Sequence, residues 1–526
     1  MTALPDYQYK PLEEPDSIRL VRLLPSRDVA AIIECKMIHT TLSMEASIQS
    51  ENGLAFPEEG NTGGLTPCNL SHIYDARGYT ALSYTWGSPE KPCTIVIDNQ
   101  KFNITKNLED AMRNLRRKTD SEAAPRLWID SLCIDQSSDQ ERSHQVQQMC
   151  SIYQTAHSTV IYLGPATRNS KACFAAARDT ERFEKDPLRK IMVHNYPFGN
   201  DQPDYSYAHD LTSDILSRSW FTRSWTFQEL VVSKRPWVCC GSTSIPWTQL
   251  CIYILGAYRW NPMSGPDGYA RDQYFMHLSN SGGLFSEHIV DRLSLEYAIT
   301  EYYPIKWDKE LGRLRATGKC MQNLDKARQL FQARGNKLSD EIRLLQEKFT
   351  LSSLLEHRRG SAASDPRDTV FSLYGIIDES YPSQQCVPVD YERAAPEIFT
   401  DVAAAILMSA PAPSLADSED EYPGWAWPTV AALADSYSMF SHVNNNSMST
   451  VPDLPSWVPD WSSPRSYQRS IRNSVHEYFP AISWTSSLPQ VSCDRRVYRE
   501  DKVVVCRGSS SIDQIVALSN VMLSHK

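Results

Sequence analysis

The alternation of apolar and polar positions is sharpest between Leu127 and Gly164. The apolar run Leu127-Trp128-Ile129 predicts a short strand that stops at Asp130, followed by a loop carrying Asp130, Cys133, Asp135 and Gln136. Ser138, with Glu141 three residues later, has the form of a capping box, in which hydroxyl and carboxylate satisfy amide donors left free by the first helical turn. Val146, Met149, Tyr153 and Ala156 then recur at helical spacing and predict one buried stripe. Thr159 to Leu163 predicts a buried strand closed by Gly164-Pro165. The whole is a βαβ unit whose polar loop follows its first strand, where open α/β sheets place ligands.

The same reasoning extends outward. Ile18, Val21 and Leu23-Leu24 suggest a strand, and residues 50–64, with their Gly, Asn, Pro and Glu, suggest a flexible loop. Thr80-Ala81-Leu82-Ser83-Tyr84 predicts a strand running into the turn Thr85-Trp86-Gly87-Ser88-Pro89. Thr94–Ile97 and Phe102–Ile104 flank Asp98-Asn99-Gln100-Lys101 as a hairpin. Leu108, Ala111, Met112 and Leu115 mark one face of a helix whose basic end, Arg116-Arg117-Lys118, suits the helix dipole. A polar helix is expected after Gly164, and residues 250–360 look mainly helical, with Gly335 separating two helices. Asp365 to Asp378 begins as a charged turn and continues as a buried helix, and Val402 to Met408 also suggests a buried helix. Strand-like runs such as Lys502 to Cys506 give the end of the chain an α+β character.

Composition narrows the class. A chain of 526 residues with 41% hydrophobic and 22% charged positions is long enough for several domains, each burying its own core. Its 53 Lys+Arg against 63 Asp+Glu give a net charge of −10, which lacks the basic footprint of a nucleic-acid binder. The 13 cysteines include no C-x-x-C pair, which fits a reducing compartment and gives no sign of a zinc or thioredoxin-like site. The first thirty residues carry Asp6, Glu13, Glu14 and Asp16, unlike a secretory signal. No apolar run reaches the roughly 18 residues of a membrane span, so the expectation is a cytoplasmic protein without a span.

Familiar catalytic signatures are missing. Gly312-x5-Gly318-Lys319-Cys320 is one residue too long for a P-loop and lacks its Ser/Thr, and no G-x-G-x-x-G, G-x-S-x-G or H-E-x-x-H occurs. Asp130 and Asp135 are open to two readings, paired acids or acceptors for loop amides. Cys133 has no histidine at a suggestive spacing and reads as a small buried residue, and His144 and His157 fall on different faces, so no metal is expected. Asp365, Arg367 and Asp368 suggest a salt-bridged turn holding the helical region to the sheet.

One ordered set of motifs remains. It comprises Ala81 to Gly87; Leu127 to Gln136 with Glu141-Arg142 and Gln145-Val146; Trp220-Phe221-x-Arg223-x-Trp225-x-x-Gln228-Glu229; Asp365-Pro366-Arg367-Asp368; and Leu454 to Trp461. In this the chain resembles the fungal heterokaryon-incompatibility (HET) domain family, departing from it at Asp135, where the family usually has Asn, and at Thr85, where it often has Val. The resemblance implies an α/β, TIR-like (flavodoxin-like) parallel-sheet core with a helical insertion and a C-terminal α+β extension. The corresponding divisions are an N-terminal extension at 1–75, the HET core at 76–245, a helical region at 246–364 and the C-terminal region at 365–526. The family is associated with programmed cell death after fusion of unlike fungal cells and is considered distantly similar to TIR domains.

Ser224-Trp225-Thr226-Phe227-Gln228-Glu229-Leu230 has the Ser-Trp-x-x-x-Glu-Leu spacing of TIR domains that cleave NAD. The resemblance therefore implies Glu229 as the catalytic carboxylate, with Tyr84, Trp86, Gly87, Asp130, Arg223 and Trp225 around the substrate. On a helix the Trp225 ring would shield the Glu229 carboxylate four positions on. NAD or a related nucleotide is then a substrate, with no cofactor required. A non-enzymatic module that self-associates or recruits an incompatibility partner stays open beside it, as does a fold reused in fungal metabolism.

Overall fold

The computed structural model describes residues 4–51, 78–116, 124–178, 214–259, 321–332 except 322, 350–377, 387–409, 450–455 and 458–463. Expectations for residues 52–64, for the loop before Asp210, for most of 250–360 including Gly335, and for Lys502 to Cys506 lie outside the described residues. Contacts divide the chain into two units, Met1–Gln346 and Glu347–Lys526.

Among its described residues the first unit holds a nine-stranded sheet. Its strands are β1 (Ser17–Leu23), β2 (Glu34–Thr41), β3 (Thr80–Tyr84), β4 (Cys93–Ile97), β5 (Gln100–Ile104), β6 (Arg126–Trp128), β7 (Ser158–Tyr162), β8 (Pro236–Cys240) and β9 (Thr243–Pro246). They lie in the order β5-β4-β2-β1-β6-β3-β7-β8-β9. Four neighbours, β6, β3, β7 and β8, are parallel. Taken in chain order, those four stand second, first, third and fourth across the sheet.

The expected parallel sheet is thus mixed. Chain length between strands decides this, because a two-residue loop can join only antiparallel neighbours. Asp98-Asn99, both with positive φ, turn β4 back onto β5, and Gly241 helps turn β8 onto β9. The strands of the N-terminal extension lie inside the sheet, with β1 running antiparallel to both β2 and β6. Every residue of β3 and β7 is buried, and the hydroxyls of Thr80 and Ser158 pair across the two strands, 3.2 Å apart.

Helices α1 (Leu42–Glu51), α2 (Lys106–Leu115), α3 (Asp130–Cys133), α4 (Asp139–Thr155), α5 (Arg168–Arg178), α6 (Trp225–Val231) and α7 (Trp247–Arg259) complete the elements of this unit named here. The predicted face of α2 is the buried one, and α4 buries Val146, Met149 and Tyr153 together with Gln145 and Ile152. Arg116 caps the C-terminal end of α2. It is buried, and its guanidinium donates to the carbonyls of Asp28, Val29, Ala31 and Ile32, bracing the segment before β2.

In the second unit the helix expected from Asp365 shortens to Asp368–Phe371, after which Leu373, Ile376 and Ile377 stay buried in turns. Arg367 pairs with Asp365 at 2.7 Å and donates to the carbonyls of Tyr391 and Arg393, so the charged turn braces its own unit. The helix expected at Val402 to Met408 is part of Ala395–Ser409, which buries Ile398, Phe399, Val402, Ala403, Ala405 and Ile406. No helix among the described residues is long and apolar enough to cross a membrane.

Candidate functional site

Polar groups converge at the C-terminal ends of β6 and β3. The chain leaves β6 through Ile129 and winds into the single turn α3, where a plain loop is predicted from sequence. Asp130 opens that turn: its Oδ1 accepts from the Ser131 amide at 2.7 Å and its Oδ2 from Trp86 Nε1 at 2.9 Å. The amide bond is the local acceptor role open to any such Asp, whereas the indole bond ties the carboxylate to the turn after β3. Tyr84, the last residue of β3, shares a 2.7 Å hydroxyl contact with Ser131. Gly87 follows with φ of +75°, and a Cβ there would lie 2.5 Å from Asn107 Nδ2, which itself donates to the Thr85 carbonyl.

Glu229 approaches from α6. A 3-10 turn at Ser219–Thr222 precedes the helix, and the Thr226 hydroxyl donates to the carbonyls of Trp220 and Arg223, fixing the join. All seven residues of α6 are buried, so its carboxylate is carried into the core with only 3% of the residue exposed. The Ser83 hydroxyl donates to Glu229 Oε2, and Trp220 Nε1 donates to Ser83 Oγ at 2.7 Å. The Tyr153 hydroxyl, from α4, donates to the Leu82 carbonyl at 3.2 Å and lies close enough to the carboxylate to favour its charged form. Arg223 donates to the Tyr84 carbonyl and faces both acids.

Burial pushes the Glu229 carboxyl up to about 7; the Arg223 charge and the Ser83 hydroxyl oppose that rise and the Asp130 charge adds to it. Burial also raises Asp130, against the pull of Arg223 and the Trp86 indole. Two acids therefore share one guanidinium in a poorly solvated setting, the arrangement that separates acid and base roles in catalytic sites.

Residues 79–229 match the family model described as heterokaryon incompatibility protein (HET). That segment is a HET domain. Heterokaryon incompatibility protein 6, OR allele, of Neurospora crassa is 29% identical over 195 residues, a match covering 31% of this chain and 28% of that relative. No solved structure gives a significant match.

Within the HET domain, Tyr84, Trp86, Asp130, Arg223 and Glu229 are linked by hydrogen bonds or by charge, and Gly87 shapes the turn beside them. Trp225 is buried one helical turn before Glu229 but makes no side-chain hydrogen bond among the described residues. The aromatic group tied to the carboxylate through hydrogen bonds is Trp220, by way of Ser83. Ser83 and Tyr153 carry no site signal in the sequence, since one is a small residue in a strand and the other fits the buried stripe of α4.

The rest of the acidic loop has structural partners. Asp135 Oδ1 accepts from the Ser137 amide and hydroxyl, and Cys133 is fully buried, its thiol pushed up to about 12 by burial. Among the described residues no three His, Cys, Asp or Glu side chains group as a metal site. On the α2 side of the β3 and β7 ends a shallow recess is lined by Thr85, Asn107, Asp110, Tyr162, Gly164 and Pro165. It opens where β3 meets β7, the point at which the strand order reverses.

Proposed function

We propose that this protein acts in fungal heterokaryon incompatibility and programmed cell death, and that its HET domain hydrolyses the nicotinamide–ribose bond of NAD. The observation that carries the chemistry is the Glu229 carboxylate, buried beside the C-terminal end of β3 and titrating near neutrality. The second-first-third-fourth order of the parallel strands supports a flavodoxin-like, TIR-like core, in which ligands meet the strand ends at the order reversal. The name of the Neurospora crassa relative supports the cellular role.

In the reaction the bond between ribose C1′ and the pyridinium nitrogen breaks, and its electron pair leaves with nicotinamide. The Glu229 carboxylate holds the ribose hydroxyls and stabilises the oxocarbenium-like centre left at C1′. Water adds to C1′ and gives up one proton, yielding ADP-ribose. Arg223 and Asp130, which share the electrostatic setting of Glu229, shape the charge around that centre. Tyr84, Trp86 and Gly87 form the rim.

A second reading has its own support. The protein groups that hold Glu229 leave it 3% exposed, as in a polar core lock of a self-associating recruitment module. Nicotinamide release at high protein concentration, followed for wild type and Glu229→Gln, decides between them. Hydrolysis predicts release by the wild type and a loss of at least about 100-fold in the variant. No release by assembled wild-type protein, with cell toxicity equal in the two forms, overturns it in favour of recruitment.

A further inference from the structure

Ser83 and Trp220 form a hydrogen-bond chain with a fixed direction. An indole N–H can donate but never accept, so Trp220 Nε1, 2.7 Å from Ser83 Oγ, occupies a lone pair of that oxygen. The single Ser83 proton is then left for its other neighbour, Glu229 Oε2. Ser83 has no exposed surface and Trp220 only 1%, which denies the hydroxyl a competing solvent partner.

From this geometry, and resting on the reading of Glu229 as the reactive carboxylate, we propose that Trp220 and Ser83 are positioning residues that commit Oε2 to accepting and leave Oε1 to gain or lose the proton. The pair thereby opposes the neutralising effect of burial and keeps a working fraction of carboxylate near neutral pH. A serine without the indole could rotate its proton elsewhere, so the tryptophan supplies the direction and the serine the contact.

The groups facing Glu229 come from every element packed around it. Ser83 and Tyr84 belong to β3, Tyr153 to α4 and Asp130 to α3, while Arg223 and Trp220 precede its own helix. Ser83, Tyr153 and Arg223 favour the charged form, whereas burial and Asp130 favour the neutral one. Removing the Ser83 donor leaves the neutralising terms in place, so the midpoint must rise. Tyr153 does not replace the lost bond, because its one hydroxyl proton goes to the Leu82 carbonyl.

The test is the titration of the Glu229 carboxylic C=O stretch in the full chain, taken as an infrared difference against Glu229→Gln. Ser83→Ala should raise the midpoint by roughly one pH unit, the worth of a hydrogen bond to a charged group. Trp220→Phe should raise it by a smaller amount, and Ser83→Thr should bring it back to the wild-type value. The acid limb of nicotinamide release should move with the infrared midpoint. An unmoved midpoint in folded Ser83→Ala overturns the positioning role, and so does a Ser83→Thr variant that behaves like alanine. If Ser83→Ala fails to fold, an unmoved midpoint in Trp220→Phe serves the same purpose. The two readings fail separately: a shifted midpoint without nicotinamide release keeps the relay and removes the hydrolase, and release with an unmoved midpoint does the reverse.

Discussion

Two buried charged clusters sit on the same sheet and are built on opposite terms. On β1, Arg19 has no exposed surface, yet its guanidinium meets both oxygens of Glu141 at 2.5 and 3.0 Å and donates to the carbonyls of Cys133 and Lys10. Around β3, Glu229 is as deeply buried, but its direct partner is the Ser83 hydroxyl and its cation is shared with Asp130. A fork-to-fork ion pair fixes charge in place with two aligned hydrogen bonds. A carboxylate held by a hydroxyl keeps a proton within reach of neutral pH. The first cluster therefore holds the fold, and the second has the character of a site.

The comparison breaks most readily at Arg19. Arg19→Ala should strand the Glu141 carboxylate beneath the start of α4 and cost about 3–5 kcal/mol of unfolding free energy in a denaturant titration. Removing both charges, as Arg19→Met with Glu141→Gln, should recover most of that loss, because the penalty belongs to the unpaired charge. A loss under about 1 kcal/mol for Arg19→Ala would show that solvent reaches Glu141 and that β1 is not stapled by charge. The result bears on the extent of the domain as well. Arg19 lies outside the matched segment 79–229, although β1 stands between β2 and β6 of its sheet.

Glu229 should respond with the opposite sign. Its pKa rises from an ordinary 4.5 in the unfolded chain to about 7 in the fold, so the folded state binds the extra proton between those values. Its contribution to stability is fully present below pH 4.5 and is lost as pH rises through 7. Glu229→Gln removes that loss and should stabilise the protein at pH 8 by about 1–3 kcal/mol, with little change at pH 4. Thermal or denaturant unfolding at the two pH values measures the difference. Equal stability changes at both would mean that the Glu229 carboxyl titrates normally, and its character as a site would disappear.

Local pattern made part of this legible. Apolar runs and helical periodicity give β3, β7, the buried stripe of α4 and the β4–β5 hairpin, whose turn closes at Asp98-Asn99 rather than over Asp98 to Lys101, because each depends on neighbours within a few residues. The motif order brings Asp130, Arg223 and Glu229 into consideration together. What escapes is set by distant partners. Ser83 in an apolar strand has no visible purpose until Glu229 arrives 146 positions later, and Arg19 looks like an alternating surface charge until Glu141 meets it across 122. Tyr153 fits the core stripe equally well with or without a carboxylate beside its hydroxyl. Strand β2 and the β8–β9 hairpin are missed because their short mixed runs gain apolar cover only from the finished sheet.

The smallest expected effect sharpens the comparison at the start of α4. The capping box predicted there is half present: Ser138 Oγ accepts from the Glu141 amide at 3.2 Å, but the Glu141 carboxylate turns away to Arg19 and to the Asp135 amide at 2.7 Å. A buried guanidinium outcompetes a backbone amide that other acceptors can serve, and the Ser138 amide is served by the Asp135 carbonyl at 3.2 Å. Ser138→Ala should then cost about 1 kcal/mol, the ordinary worth of a cap, and leave the Arg19 pair intact. Denaturant unfolding of Ser138→Ala, Arg19→Ala and the double variant tests this, with near-additive losses expected if cap and ion pair act independently. Should Ser138→Ala alone cost as much as Arg19→Ala, the cap rather than the ion pair would set the position of Glu141, and the staple would lie in α4 instead of β1.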